Sequence, residues 1–149
     1  MKVLELLRFL DSREWIAVLL ARLAVGVLFF ESGRDKLFYK LNELVEYIGQ
    51  LGVPFPHLQA PMVASIEFVG GICLVLGIAT RVMSAPLAVI MAVAILTAQL
   101  DKAKTIGDFL YLPEVLLLVI FIWLIFSGPG KFAIDNYIAR KLFTKEKLN

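Results

Sequence analysis

The sequence predicts an all-α membrane protein, built as a bundle of four transmembrane helices. Hydrophobic residues make up 60% of the 149-residue chain and charged residues 19%. Soluble domains contain about 45–50% apolar residues and about 25% charged ones. The mean hydropathy is +0.83. Charged residues also leave long uncharged stretches such as 82–100, which can cross a hydrocarbon core of about 30 Å as a helix.

Four segments have the length and hydrophobicity of membrane spans. The first contains Arg22, the second contains Glu67, the third is uncharged, and the fourth has Glu114 near its start. Their predicted limits are Trp15–Gly33, Pro61–Ala79, Val82–Leu100 and Leu110–Ser127. Because four spans leave no room for a separate soluble domain, residues 1–149 are interpreted as one transmembrane domain.

The connecting segments predict two further features. In the outer loop 34–60, apolar residues recur at helical spacing over Leu37–Leu51, which is typical of an amphipathic helix at the membrane interface. Segment 1–14 mixes acidic and basic residues and has no cleavage pattern. It is therefore predicted to be a short surface helix, and 128–149 to be a C-terminal tail.

The distribution of Lys and Arg predicts the orientation. With four spans, both termini share a side with the turn around Arg81, and this side carries nine basic residues against five on the other. Because basic residues accumulate on the cytoplasmic side, both termini are predicted to be cytoplasmic in the inner (plasma) membrane. The net charge of only +2 indicates no binding of nucleic acid.

Three ionisable residues lie inside the predicted spans, where charge is costly and is usually paired or functional. These are Arg22, Glu67 and Glu114, and Lys36 lies at the outer end of the first helix. They form either a structural ion-pair network or the polar part of a pocket in an apolar bundle. Such a pocket suits a small lipophilic redox molecule such as a quinone. The two interpretations are compatible, and both stay open.

Four glycines accompany these charges on the same helix faces. Two lie on the stripe of Arg22 in the first span, and two lie about one turn after Glu67 in the second. Glycine lets another helix or a flat ligand approach the backbone closely. The predicted ligand-binding residues are Arg22, Gly26, Gly33, Lys36, Glu67, Gly70, Gly71 and Glu114, with Glu67 and Glu114 as the candidate proton relays.

The end of the fourth span predicts a contact on the side of the termini. The sequence Gly128-Pro129-Gly130 ends a helix abruptly and returns the chain toward the bundle. This brings Asp135 to the side of Arg81. We expect an ion pair between them, worth no more than about 1 kcal/mol if exposed.

The sequence has few residues that could support disulfide, haem or metal chemistry. His57 is the only histidine and Cys73 the only cysteine. This excludes a disulfide scaffold, a dithiol redox pair and the paired histidine ligands of a b-type haem. His57 is interpreted as a loop residue and Cys73 as a buried packing residue. We expect no metal site and no covalently bound cofactor, with quinone as the candidate ligand.

A set of widely spaced residues runs through most of the chain. It consists of Arg22-x3-Gly26-x6-Gly33-x2-Lys36, Glu67-x2-Gly70-Gly71, Gly77-x3-Arg81, and Gly128-Pro129-Gly130 followed by Asp135. This set is similar to that of the DoxX family. One departure is Ala133, where the family often carries a serine.

The resemblance implies a four-helix bacterial or archaeal membrane protein. Some family members are the small subunit of a thiosulfate:quinone oxidoreductase, and others are linked to thiol and oxidative-stress systems. Our leading hypothesis is a quinone-linked redox subunit or accessory protein with a partner subunit that supplies electrons. The alternatives are a non-catalytic membrane scaffold or assembly protein and, with least support, a small-solute transporter. The expected partners are the lipid bilayer, the redox subunit and further copies of the chain.

Overall fold

The computed structural model describes residues 13–100 and 103–137, and this part of the chain is helical throughout apart from its turns and loops. The predicted surface helix in segment 1–14 and the distal tail 138–149 fall outside it, except for Arg13 and Glu14. The helices are α1 (Glu14–Phe38), α2 (Leu41–Gln50), α3 (Pro56–Leu76), α4 (Thr80–Ala94), a π-helical turn that continues α4 (Ile95–Gln99), α5 (Ile106–Leu110) and α6 (Pro113–Ser127).

The predicted fold class is confirmed. The helix α1, the helix α3, and α4 with its π-helical turn are each long and apolar enough to cross a membrane. The fourth, α6, is a shorter apolar helix of 15 residues. The chain is therefore an integral membrane protein. We call the end of the bundle where α1 begins and α6 ends the terminal end. The loop end is the opposite end, where α1 ends and α6 begins.

Several helix limits differ from the predicted ones, because turn chemistry decides them more than hydropathy does. The helix α3 begins at Pro56, and proline is favoured at the first helical position. It ends at Leu76, and the next residue, Gly77, has a φ of 70°, the left-handed conformation common after a helix C-terminus. Leu110, the predicted start of the fourth span, belongs to the separate helix α5. A capping box begins this helix: the Thr105 side chain accepts from the Asp108 N–H, and the Asp108 side chain accepts from the Thr105 N–H.

The amphipathic outer helix is present but shorter than predicted. The helix α1 continues through Leu37 to Phe38, and α2 begins only at Leu41. None of the residues of α2 is fully buried. The helix packs against α3 with one face, as expected for an amphipathic segment at the edge of a bundle.

The transmembrane helices pack as two close pairs, α1 with α3 and α4 with α6. In the first pair the two backbones touch. A Cβ atom on Gly33 would lie 2.6 Å from the Phe68 Cα, and one on Gly71 would lie 2.7 Å from the Phe30 Cα. Small residues permit this approach in a membrane, where helices associate through van der Waals packing. Only glycine therefore fits at Gly33 and Gly71.

A small apolar core joins the two pairs. Phe29 on α1 meets Phe121 on α6 edge to face, with ring centroids 5.0 Å apart. Leu74, Leu87 and Leu124 are fully buried beside them. Most other large apolar side chains are exposed on the outside of the helices, where lipid covers them.

Candidate functional site: a cavity at the loop end

A cavity of about 610 Å3 is lined by side chains from α1, α2, α3, α4 and α6. Its volume lies within the range of about 300–1,000 Å3 that is typical of small-molecule sites. Most of the lining is apolar, and the charged residues in it are Lys36, Glu67 and Glu114. This combination of apolar walls and a few polar groups makes the cavity the candidate functional site.

The first polar cluster joins α1 to α3. The Lys36 Nζ lies 2.7 Å from both carboxylate oxygens of Glu67, and the Ser32 Oγ donates to Glu67 Oε2 at 3.1 Å. The Glu67 side chain is 1% exposed and that of Lys36 is 33% exposed. Removing one member of such a buried pair leaves the other charge without compensation. The cluster thus holds a lysine ammonium at the cavity wall, supported by a carboxylate whose two oxygens are both occupied.

The close contact of α1 with α3 creates this cluster. A Cβ atom on Gly33 would lie 2.8 Å from the backbone carbonyl carbon of Glu67, so one of the close approaches of the two backbones lies beside Glu67. Lys36 follows Gly33 by nearly one turn and Ser32 precedes it directly. Both side chains therefore reach the carboxylate without extending far from α1.

The second polar cluster joins the π-helical turn to α6. The Gln99 Nε2 donates to Glu114 Oε1 at 3.0 Å. Glu114 lies in the first turn of α6, after Pro113, where the positive end of the helix dipole favours a carboxylate. Its second oxygen, Oε2, is buried and has no hydrogen-bond partner in the part of the chain that the structure describes. π-Helical turns inside α-helices are frequent at functional sites.

The rim of the cavity is apolar. Leu28, Met62, Val89 and Val93 line it, and they are between 44% and 61% exposed. All four lie within the membrane-spanning lengths of α1, α3 and α4. The cavity is therefore lined in part by apolar side chains that are also exposed on the outer surface of the bundle.

Arg22 lies elsewhere, at the terminal end of the bundle. It is 2% exposed, and its two terminal nitrogens each donate at 2.7 Å, one to the carbonyl of Pro129 and one to that of Phe132. Gly77 lies against the guanidinium, because a Cβ there would be 2.8 Å from the Arg22 Cζ. Arg22 therefore does not reach Glu67, and the predicted network of Arg22, Glu67 and Glu114 does not form.

The predicted ion pair between Arg81 and Asp135 is also wrong. Asp135 Oδ1 accepts from the backbone N–H of Ala79 at 2.9 Å, and Oδ2 accepts from that of Thr80 at 3.3 Å. Arg81 instead donates to the Phe126 carbonyl at 3.3 Å. The reason is that α4 has no N-cap side chain of its own, because Ala79 cannot accept a hydrogen bond with its side chain. Asp135, which is far away in the sequence, accepts from the backbone N–H groups of Ala79 and Thr80 in its place. We call Arg22, Gly77, Asp135 and the segment 128–132 the terminal corner.

Comparison with known families identifies the family of the chain. The sequence model of the DoxX family matches residues 17–100, which is more than half of the chain. The protein belongs to the DoxX family. This confirms the resemblance carried by the spaced glycine and charged residues. No solved structure matches the chain.

Three relatives are similar over most of their length. The Bacillus subtilis (strain 168) protein named "Putative oxidoreductase CatD" is 32% identical over 123 residues, which cover 83% of this chain and 87% of the relative. The Mycobacterium tuberculosis protein named "Uncharacterized membrane protein Rv3486" is 28% identical over 90% of this chain and 88% of the relative. The Escherichia coli (strain K12) protein named "Inner membrane protein YqjF" is 25% identical over 86% of this chain and 96% of the relative.

The spaced DoxX residues divide between the two ends of the bundle. Lys36 and Glu67 belong to the cavity, and Arg22, Gly77 and Asp135 to the terminal corner. Ala133, the departure from the family pattern, is buried in the corner against Gly77. The pattern is thus a mixture of cavity residues and residues that fix the ends of helices.

The four glycines predicted to bind ligand lie in helix contacts and not in the cavity lining. Gly33 and Gly71 meet the backbone of the facing helix. A Cβ on Gly26 would lie 2.9 Å from the Val75 nitrogen, and one on Gly70 would lie 3.0 Å from Leu87 Cδ1. These glycines were expected to let either another helix or a flat ligand come close to the backbone, and the structure shows the approach of another helix.

Ser32 and Gln99, which donate to the two carboxylates of the cavity, were not predicted as site residues from the sequence. Ser32 lies one helical turn before Lys36 on the same face, and Gln99 is the one amide in the uncharged third span. Their positions signal that they face other polar groups in a membrane. His57 is exposed but lies at the start of α3, so its interpretation as a loop residue is wrong. Cys73 is free of any disulfide and is half-buried, not buried as predicted. Among residues 13–100 and 103–137, no group of three His, Cys, Asp or Glu side chains could hold a metal ion.

Proposed function

We propose that the protein is a quinone-linked redox subunit or accessory protein of the plasma membrane. In this proposal the cavity binds the head group of a membrane quinone, and a partner subunit supplies the electrons. The observation that carries it is the cavity of about 610 Å3, in which two polar clusters lie inside apolar walls. No covalently bound cofactor is required, because the ligand exchanges with the pool in the bilayer.

The chemistry of a quinone suits these groups. A quinone is a flat apolar ring with two carbonyl oxygens and an apolar tail. Lys36 directs two N–H groups at Glu67, and an ammonium has three, so one remains to donate to a carbonyl. The apolar rim at Met62 and Val89 leaves a route by which the tail extends into lipid.

The relatives support the proposal in general terms. The Bacillus subtilis relative is named as an oxidoreductase and the Escherichia coli relative as an inner membrane protein. The excess of Lys and Arg on the side of the termini supports cytoplasmic termini. Tagging either terminus in intact cells tests this orientation, and a periplasmic C-terminus would overturn it.

A pair of matched substitutions tests quinone binding in the cavity. Val89 and Val82 both lie on α4 and are 61% and 65% exposed, but only Val89 is among the cavity residues. Purified protein should be stabilised against thermal unfolding by a short-chain naphthoquinone, because a ligand that binds only the folded state stabilises it. Val89→Trp should remove most of this stabilisation, and Val82→Trp should retain it.

The scaffold alternative predicts a different result. It is favoured by the terminal corner, in which Arg22 and Asp135 bond to the backbone of the protein itself. If the protein is a scaffold, the quinone stabilises neither the unsubstituted protein nor Val82→Trp. Arg22→Ala then lowers the recovery of a partner subunit from membranes, and Val89→Trp has no effect on that recovery.

A further inference from the structure

The two carboxyl groups of the cavity differ in how many of their oxygens are occupied. Both oxygens of Glu67 are occupied, by Lys36 and Ser32. Glu114 accepts from Gln99 with Oε1 only. Its Oε2 is buried and has no donor among the described residues, and Glu114 lines the cavity.

A buried carboxylate oxygen without a donor is unfavourable, since it has lost its water and gained nothing in return. The position of Gln99 determines which oxygen is left. An amide nitrogen donates and does not accept, so Gln99 holds Oε1 as an acceptor and leaves Oε2 available. A ligand that carries a hydroxyl group supplies the missing donor.

We propose that Glu114 Oε2 is the acceptor for a ring hydroxyl of the ligand, so that the cavity binds phenols and hydroquinones more tightly than the corresponding ethers. The inference rests on the proposed function, because it concerns the same cavity and the same class of head group. It assigns Lys36 and Glu114 complementary roles. Lys36 donates to one oxygen of the ring, and Glu114 accepts from the hydroxyl on the other.

The test compares two stable probes with the same ring system, 1-naphthol and 1-methoxynaphthalene. Their binding to the detergent-solubilised full chain is measured by equilibrium dialysis and corrected for partition into empty micelles. A hydrogen bond to a charged acceptor corresponds to about a tenfold difference in Kd or more. We expect naphthol to bind at least about tenfold more tightly than its ether. Equal affinities would overturn the assignment of Glu114 without affecting the proposal that the cavity binds quinones.

A variant reverses the polarity of the group that faces the ligand. In Glu114→Gln, the new side chain presents its carbonyl oxygen to the Gln99 amide and its own NH2 group to the cavity. The preference for naphthol should therefore disappear. Glu46→Gln, an exposed acid on α2, is the matched control and should keep the preference.

Each outcome decides the question. If Glu114→Gln keeps the preference for naphthol, or Glu46→Gln loses it, the hydroxyl is recognised elsewhere and the inference fails. If Glu114→Gln does not fold, the comparison of the two probes on the unsubstituted protein still decides. If that protein binds neither probe and is not stabilised by naphthoquinone, both this inference and the proposed function fail.

Discussion

The cavity and the terminal corner both bury charged side chains in an apolar bundle, but they use them differently. In the corner, Arg22 donates to two backbone carbonyls and Asp135 accepts from two backbone N–H groups. In the cavity, the charged groups bond to other side chains, Lys36 to Glu67 and Glu114 to Gln99, and they line a space of about 610 Å3. Charge directed at the backbone fixes the chain, whereas charged side chains that line a cavity lie where a ligand can be bound.

The largest expected effect comes from the corner. Arg22→Ala removes the donors of the carbonyls of Pro129 and Phe132 and leaves a space at a fully buried position. We expect a loss of about 3 kcal/mol in the free energy of unfolding, since hydrogen bonds to charged groups contribute about 1.5–3 kcal/mol each. Thermal unfolding in detergent measures it. A loss below about 1 kcal/mol would show that the corner does not hold the bundle together.

Substitutions in the ion pair of Lys36 with Glu67 should have the next largest effect on the free energy of unfolding. We expect the two positions to be strongly coupled. Glu67→Gln leaves the Lys36 ammonium beside a neutral partner, and Lys36→Met leaves the buried Glu67 carboxylate alone. Each single substitution should lower the free energy of unfolding by about 2 kcal/mol, and the double variant by less than the sum.

A double-mutant cycle on these two positions measures the coupling. An additive result would mean that the pair does not act as a unit. Glu67→Gln by itself does not test whether Glu67 relays protons, because the substitution breaks the ion pair with Lys36 as well as removing a titratable acid.

The smallest effect separates the observed cap from the predicted ion pair. Asp135→Ala removes the cap of α4 and should cost about 1 kcal/mol. Arg81→Ala should cost less than about 0.5 kcal/mol, since Arg81 is exposed and bonds to a single carbonyl. The two losses should add in the double variant. A coupling energy above about 0.5 kcal/mol would show that Arg81 and Asp135 interact as the sequence predicted.

Much of the fold follows from the sequence because its signals are local. Hydropathy identifies α1, α3 and α4, and the rarity of charge in a span singles out Arg22 and Glu67, which are both buried. Helix limits were less predictable, since turn residues such as Gly77 and Pro113 set them. The cavity was predictable only as a tendency of polar residues to lie near the loop end.

The sequence by itself determined that this chain lies in a membrane, that four apolar helices form its bundle, and that Arg22 and Glu67 are buried. Only the tertiary structure decided their partners. Arg22 binds carbonyls 107 and 110 residues away in the chain. Lys36 binds Glu67 because the backbones of α1 and α3 touch at Gly33. Whether a residue is buried can be read from the residues of its own helix. Its partner depends on the relative shift and rotation of two helices, and close packing at a few glycines fixes that shift and rotation.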